Sequence, residues 1–263
     1  MQTKIFYFSA TGNSLAVARS IAAGIGEAEL VSIPGVMAGE IDMAVPKIGL
    51  VFPVYAYGMP RIVADFVRKL KLDKNNYVFA VATGGGTPAN TLIQLRRLLR
   101  KRGGDLDAGF AVKEANHTPL SKEDFLIKSM SRIAGKQPLT SRERLPEIIE
   151  VIKNNRKHRS ETSSRVAGFI GDLLYKMAIA TFKTADRDFL IDEKCGLCQT
   201  CIRICPRQNI KIEANKPTWH HNCESCFACL EWCPNEAIQY KNVTQNQKRS
   251  HHPGIKVSEV ILR

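Results

Sequence analysis

The stretch TKIFYFSATGNS, residues 3–14, decides the fold of the first half of the chain. Its first six residues, rich in β-branched and aromatic side chains, predict a short buried strand over residues 3–8. A turn of small and hydroxylated residues follows. From Leu15 to Ala23 the Ala and Leu positions have helical spacing. A strand that turns directly into a helix is the opening unit of an α/β fold. The turn itself carries chemistry. Ser9, Thr11 and Ser14 offer hydroxyls, Gly12 allows a tight bend, and the start of the helix that follows presents unpaired N–H groups. Such a loop suits a dianionic phosphate held by neutral donors. It has neither the lysine-bearing glycine loop of nucleoside triphosphatases nor the three-glycine fingerprint of dinucleotide folds.

The same rhythm continues outward. Further strands are expected over residues 30–33, 47–52, 77–83 and 106–112, with helices over 61–70 and 89–101. Five strands alternating with helices predict an α/β, doubly wound parallel five-stranded sheet. Two loops then fall at strand ends: Pro53, Val54, Tyr55, Ala56, Tyr57 and Gly58 after the third strand, and Thr83, Gly84, Gly85 and Gly86 after the fourth.

With S-x-T-G-N-S following the first strand, residues 1–112 resemble a flavodoxin. The resemblance implies FMN at the carboxyl ends of the strands. Ser9, Thr11, Gly12, Asn13 and Ser14 would take its phosphate. Pro53, Val54, Tyr55, Tyr57 and Gly58 would embrace the ring on one side, and Thr83, Gly84, Gly85 and Gly86 on the other. Tyr55 or Tyr57 would stack on it. Neither ring loop contains an acid, and the glycine loop has no aromatic residue, which leaves one flavin face open.

All eight cysteines lie between residues 195 and 233, a clustering that favours metal ligation over a scattered disulfide framework. Cys195, Cys198, Cys201 and Cys205, followed by Pro206, recur 28 residues later as Cys223, Cys226, Cys229 and Cys233, followed by Pro234. Cysteines at i, i+3 and i+6 let one loop wrap a cluster. Structural zinc normally pairs two shorter Cys-x2-Cys units across a longer gap, which fits poorly. Residues 191–240 resemble a bacterial-type two-cluster ferredoxin, whose fourth cysteine ligates the other cluster. The resemblance therefore implies one [4Fe–4S] cluster on Cys195, Cys198, Cys201 and Cys233, and a second on Cys223, Cys226, Cys229 and Cys205. Trp232 is expected to pack over a cluster, and His220 and His221 to lie at the surface.

The expected organisation is a flavodoxin-like FMN-binding domain over residues 1–160, a linking helix over 161–190, and a small α+β ferredoxin-like domain over 191–263. Within the first unit residues 146–157 read as helical. The run Arg156-Lys157-His158-Arg159 reads as a solvated break and hinge. Residues 166–182 form an amphipathic helix whose Phe169, Leu173, Tyr175, Met177 and Phe182 should pack. Its Asp172 and Lys176 interrupt the longest apolar stretch, so no membrane span is expected. The amino-terminal stretch has no export signal, which points to a cytoplasmic protein.

The formal charge of +13 raises the possibility of nucleic-acid binding. Two clusters and FMN would lower it to roughly +7. The excess is also spread along the chain rather than gathered in an arm. No nucleic acid is expected, and an acidic redox protein, such as a ferredoxin, fits better as donor or acceptor. Both ends together resemble a flavodoxin–ferredoxin fusion family. That resemblance implies an electron-transfer protein passing electrons between the clusters and FMN. The alternative is an FMN-dependent reductase of a small molecule fed by its own ferredoxin domain, with Asn116 and His117 as pocket candidates; an iron–sulfur sensor or nucleic-acid-binding protein is the third.

Overall fold

Each apolar run of the first half becomes a strand of one sheet. The computed structural model describes residues 2–115, 132–135, 137–245 and 247–262. Strands β1 (Thr3–Tyr7), β2 (Ala28–Ser32), β3 (Lys47–Pro53), β4 (Tyr77–Gly84) and β5 (Ala108–Lys113) pair in parallel in the order β2-β1-β3-β4-β5. This is the flavodoxin-like strand order, with its switch point between β1 and β3.

Side chains alternate across the sheet. Phe6, Leu50, Phe52, Val78 and Ala80 face the layer of α2 (Ile33–Val36), α3 (Arg61–Lys69) and α4 (Thr91–Arg100). Ile5, Val51, Phe79, Val81 and Phe110 face the other layer, α1 (Asn13–Ile25) and α5 (Ser141–Lys153). Gly49 serves this packing: a Cβ there would stand 2.4 Å from the Phe79 ring.

The later part of the sheet unit departs from expectation in two places. Helix α5 begins at Ser141, ahead of Pro146. Thr140 caps it by accepting from Glu143 N, while the Glu143 carboxylate accepts from Thr140 N at 2.9 Å. This reciprocal cap starts the helix although Pro146 then falls inside it. The basic run after α5 is exposed at Arg156, Lys157 and Arg159, yet it is no hinge. His158 N donates to Asp107 O at 2.8 Å, Glu161 N to Gly109 O at 3.1 Å, and the His158 ring stacks on Phe110. Backbone pairing to β5 holds the segment against the sheet edge.

Helix α6 (Arg165–Phe182) crosses to the carboxyl end of the sheet. Its Tyr175 packs on Gly58, where a Cβ would come within 2.2 Å of the ring, and donates to Met59 O at 2.7 Å. Asp172 accepts from Asn90 and Gln94. Contrary to the expectation of packing, Phe169, Leu173 and Met177 are 74%, 54% and 63% exposed. Asp172 and Tyr175, with Ile170 and Leu174 beside Tyr57, face the sheet unit instead. No helix among the described residues is long and apolar enough to cross a membrane.

The cysteine repeats form a second unit with internal two-fold character. Strand β6 (Phe189–Ile191) pairs antiparallel with β9 (Ile238–Tyr240), and β7 (Ile210–Glu213) with β8 (Lys216–Trp219). The repeat offset carries β6 onto β8 and β7 onto β9, so each half supplies one strand to each ribbon. Short helices α7 (Thr200–Ile204) and α8 (Ala228–Glu231) follow left-handed residues Gln199 and Phe227 at corresponding positions.

Candidate functional site

Three loops meet at the carboxyl edge of β1, β3 and β4. Gly12 adopts φ +98° and opens α1, whose first turn has neither a side-chain cap nor an acid. Ser9 Oγ is buried without a hydrogen-bond partner, the kind of orphaned donor that a bound oxyanion would satisfy. Ser14 is buried and its hydroxyl pairs with Thr83 Oγ1 at 2.8 Å. Val54 N donates to Thr83 O at 2.8 Å, and Asn13 Nδ2 to Ala115 O at 2.8 Å. Thr11, Pro53, Gly84 and Gly86 are part-buried nearby, and Gly85 is exposed. Asn116 and His117 lie outside the described residues.

The two tyrosines diverge. Tyr55 contacts Phe8 edge-on at 6.1 Å and belongs to the core between the two units. Burial pushes its hydroxyl well above the ordinary range, aided by charge at Cys226, Glu224 and Cys223. Tyr57, at φ +68°, packs instead with Ala134, Ala167, Ile170 and Leu174 at α6.

The cysteines fall into two rings. Cys195, Cys198, Cys201 and Cys233 line one cavity of about 340 Å³, open in part to solvent and floored by Pro217 and Ile238. Burial raises the Cys201 thiol to about 11, and its electrostatic neighbours are Cys198, Cys233 and Cys195. The second ring comprises Cys205, Cys223, Cys226 and Cys229: burial drives Cys229 well above its ordinary value, with Cys226, Cys205 and Cys223 as its nearest charges. The halves share their hydrogen bonding. Asn209 N donates to Cys205 Sγ and Ala237 N to Cys233 Sγ, both at 3.3 Å, and Ser225 N to Cys223 Sγ at 3.2 Å. N–H groups aimed at sulfur favour thiolate. Two four-sulfur rings supplied with such donors fit clusters as a donor set. Among the described residues no three His, Cys, Asp or Glu side chains are grouped so as to hold a single metal ion.

A dense seam joins the second ring to the sheet unit. Arg61 Nη1 donates to Cys223 O at 2.6 Å, Ile62 N to Glu224 Oε1 at 3.2 Å, and Arg207 bridges Glu224 and Asp65 at 2.6 and 2.8 Å. Glu224 is buried, so an acid missing from both sheet loops arrives from the other unit beside Tyr55. Its neighbour spacing within Cys223–Cys226 gave no sequence signal for this.

Trp232 makes a contact that the sequence did not suggest: it reaches the phosphate-type loop, donating from Nε1 to Ala10 O at 2.8 Å, and it stacks on His251 at 3.9 Å. The chain end follows it: His252 N donates to Thr11 O at 2.8 Å, and Gly12 abuts His252 and Ile255. Arg19 pairs with Glu259 at 2.6 Å. This strap escaped the sequence reading because none of its contacts is local. His220 and His221 are both exposed, as expected, and His221 Nδ1 lies 2.7 Å from the buried Asp186.

No protein-family model matches the chain, and no curated protein matches it. Among solved structures it is similar to a putative flavoprotein from Bacteroides uniformis ATCC 8492, at 17% identity over 44% of this chain and 92% of that one, TM-score 0.35. A flavoprotein in complex with FMN from Lactobacillus acidophilus NCFM matches at 12% identity over 42% of this chain and 92% of that one, TM-score 0.34. The azoreductase AzrA matches at 10% identity over 58% and 99%, TM-score 0.39.

Proposed function

We propose that the chain is an electron-transfer protein that holds FMN on the loops at the carboxyl edge of its sheet and two [4Fe–4S] clusters in its cysteine rings. The observation that carries this reading is the seam: the Cys223–Cys226 loop is fastened to the start of α3, directly after the loop that holds Tyr55.

Bound FMN would exchange one or two electrons and so couple one-electron carriers to two-electron chemistry. The chain's own residues prepare for it. Ser9, Thr11, Gly12 and Asn13 would bind the phosphate, with Ser14 and Thr83 fixing the loop through their mutual hydrogen bond. Pro53, Val54, Tyr55, Tyr57 and Gly58, with Gly84, Gly85 and Gly86, would position the ring. Trp232 and Ile255 would keep water from the loop's outer side. Cys195, Cys198, Cys201 and Cys233 would hold one cluster and Cys205, Cys223, Cys226 and Cys229 the other, through thiolates freed of their protons on binding. Fusion keeps donor and acceptor together at high effective concentration.

The exposed Gly85 favours a second reading, a reductase whose flavin meets a small molecule there. Anaerobic purification followed by iron, flavin, absorption and EPR analysis tests the main proposal. About eight irons and one FMN per chain are expected for two four-iron clusters; a colourless protein, or one loaded with zinc, overturns it. Reoxidation of the reduced holoprotein by one small acceptor but not by ferredoxin would select the reductase.

A further inference from the structure

The loop from Ser9 to Ser14 is braced from outside by residues far from it in the chain. Residues 250–262 leave the cysteine unit, cross the loop and return. At one end Ser250 N donates to Glu231 Oε2 at 2.6 Å and the His251 ring stacks on Trp232; at the other Leu262 N donates to Arg203 O at 2.9 Å. Between them His252 N donates to Thr11 O at 2.8 Å, Ile255 is buried in the core of the sheet unit, and Glu259 pairs with Arg19 of α1 at 2.6 Å. The bracing has a direction. Trp232 Nε1 holds the carbonyl of Ala10 and His252 N that of Thr11, each at 2.8 Å. The described backbone has no cis peptide, and in a trans peptide the N–H points opposite to the C=O of the same plane. The N–H groups of Thr11 and Gly12 are therefore turned away from the strap, and neither has an acceptor among the described residues. Gly12, at φ +98° and ψ −24°, is left-handed, as in turns whose successive N–H groups gather around an anion. Ser9 Oγ, buried without a partner, is a further donor of the same loop. The loop carries no Lys or Arg, so the aim of these donors decides how well it takes a phosphate.

We propose that residues 250–262, acting with Trp232, are a specificity-determining part of the flavin site: by pinning the Ala10 and Thr11 carbonyls they preset the Thr11 and Gly12 N–H groups for the phosphate, so the chain selects FMN over riboflavin only while the strap is seated. This rests on the reading that the sheet loops hold FMN. The strap is a positioning element and need not touch the phosphate itself. A loop already set in its binding orientation loses less conformational freedom when the ligand arrives. The loops proposed for the ring are held by other contacts, Val54 N on Thr83 O at 2.8 Å and Tyr175 on Met59 O at 2.7 Å. The strap therefore acts on the phosphate end of the flavin and not on the ring.

The test uses the full chain purified without oxygen, its flavin removed under conditions that keep the iron, and then titrated with FMN or with riboflavin while flavin fluorescence is followed. His252→Pro deletes the N–H that holds Thr11 O, at a position before Pro253 that already favours extended backbone. Its FMN affinity should fall about fivefold, the worth of one hydrogen bond. A chain ending at Arg249 loses the whole strap, and its FMN affinity should fall at least about tenfold. Riboflavin lacks the phosphate, so its affinity should stay within about twofold in both variants, with the iron count unchanged. His252→Ala keeps the N–H and should stay within about twofold of the wild type for either flavin. Should the shortened chain lose its iron, His252→Pro decides alone. Equal weakening of FMN and riboflavin would make the strap a general brace, and unchanged FMN affinity in His252→Pro would make it idle. A loss in His252→Ala as large as in His252→Pro would shift the effect from the N–H to the side chain. Each of these overturns the inference and leaves the proposed function intact, whereas wild-type protein that takes up no flavin overturns both.

Discussion

The two units of this chain are built on different cores. The largest fully buried side chains, among them Phe6, Phe52, Phe66, Phe79 and Phe110, all belong to the sheet unit. In the cysteine unit the core is Phe189, Ile210, Phe227, Leu230, Ile238 and Tyr240 together with Cys201, Cys205, Cys223 and Cys229. Four of those ten residues are thiols, and the strands around them are three or four residues long. The buried polar groups divide the same way. The sheet unit buries hydroxyls such as Thr3, Ser14, Thr83, Thr87 and Thr91, whereas Asp186, Glu224 and Glu231 are buried only after residue 185. One unit can be held by apolar area alone, at about 25 cal/mol per Å². On the proposed function, the other would be completed by the iron its thiols hold.

The sharpest way to break that contrast is to remove the metal. Structural zinc supplies on the order of 10 kcal/mol to zinc-finger peptides, and a cluster held by the proposed cysteine ligands would stabilise this unit in the same sense. Stripping the iron should therefore erase amide protection over residues 189–240 while strands β1, β3, β4 and β5 keep theirs, as read by hydrogen exchange. Equal loss in both units would mean that the seam, and not the metal, carries the cysteine unit.

The same contrast explains what was legible in the sequence. Strands β3 and β4 are contiguous apolar runs, so local pattern sufficed there, whereas the part-buried edge strand β2 (AELVS) starts two residues before the expected run and gives Ile33 to α2; cysteine spacing alone defined the repeats. Groups that meet across the two units were invisible. Trp232 and Ala10 are 222 residues apart, and Glu224 meets Ile62 N across 162 residues. Helix α6 was misread because amphipathicity shows that a face exists without showing which face is used. Its small residues Ala167, Gly168 and Gly171 are buried while Phe169 is exposed.

Buried charge gives the next effect. Burial raises the Glu231 carboxyl to about 7, opposed by a hydrogen bond from Ser250 N at 2.6 Å and by Arg249. The folded protein thus binds this proton more tightly than the unfolded chain, where the group titrates near 4. Its stabilising contribution is complete below about pH 4 and is lost as pH rises through 7, to the extent of roughly 3 kcal/mol. Glu231→Gln should match the wild type at pH 5 and exceed its denaturation midpoint at pH 8. Taking the difference between the two proteins at each pH cancels the acid sensitivity of the thiolates. No comparable pH difference is expected from a variant of the hydroxyls buried in the sheet unit.

Glycines sharpen the comparison at smaller scale. At Gly49 a Cβ would lie 2.4 Å from the Phe79 ring, which is locked in the core, so Gly49→Ala should cost about 1–3 kcal/mol. At Gly196 the nearest atom is the Asn235 amide at 3.0 Å, the far end of a polar side chain, and Gly196→Ala should stay within about 0.5 kcal/mol. Urea denaturation measures both. Equal costs would mean that the cysteine unit is packed as tightly as the sheet.

The smallest of these effects tests where the two units meet. Trp232 is buried, contributes to the core of the sheet unit, and donates to Ala10 O at 2.8 Å. Trp232→Phe keeps a ring in the seam but leaves that carbonyl without its donor, at a cost of about 1 kcal/mol. Global stability would therefore fall little. The informative readout is local: Ala10 lies between Ser9 and Thr11, so loosening it should weaken retention of FMN a few-fold while the iron content stays unchanged. Loss of iron with normal flavin retention would instead return Trp232 to the role its position beside Cys233 suggested, as packing for a cluster. The indole N–H decides between them, because cluster packing needs only the ring and the loop contact needs the donor.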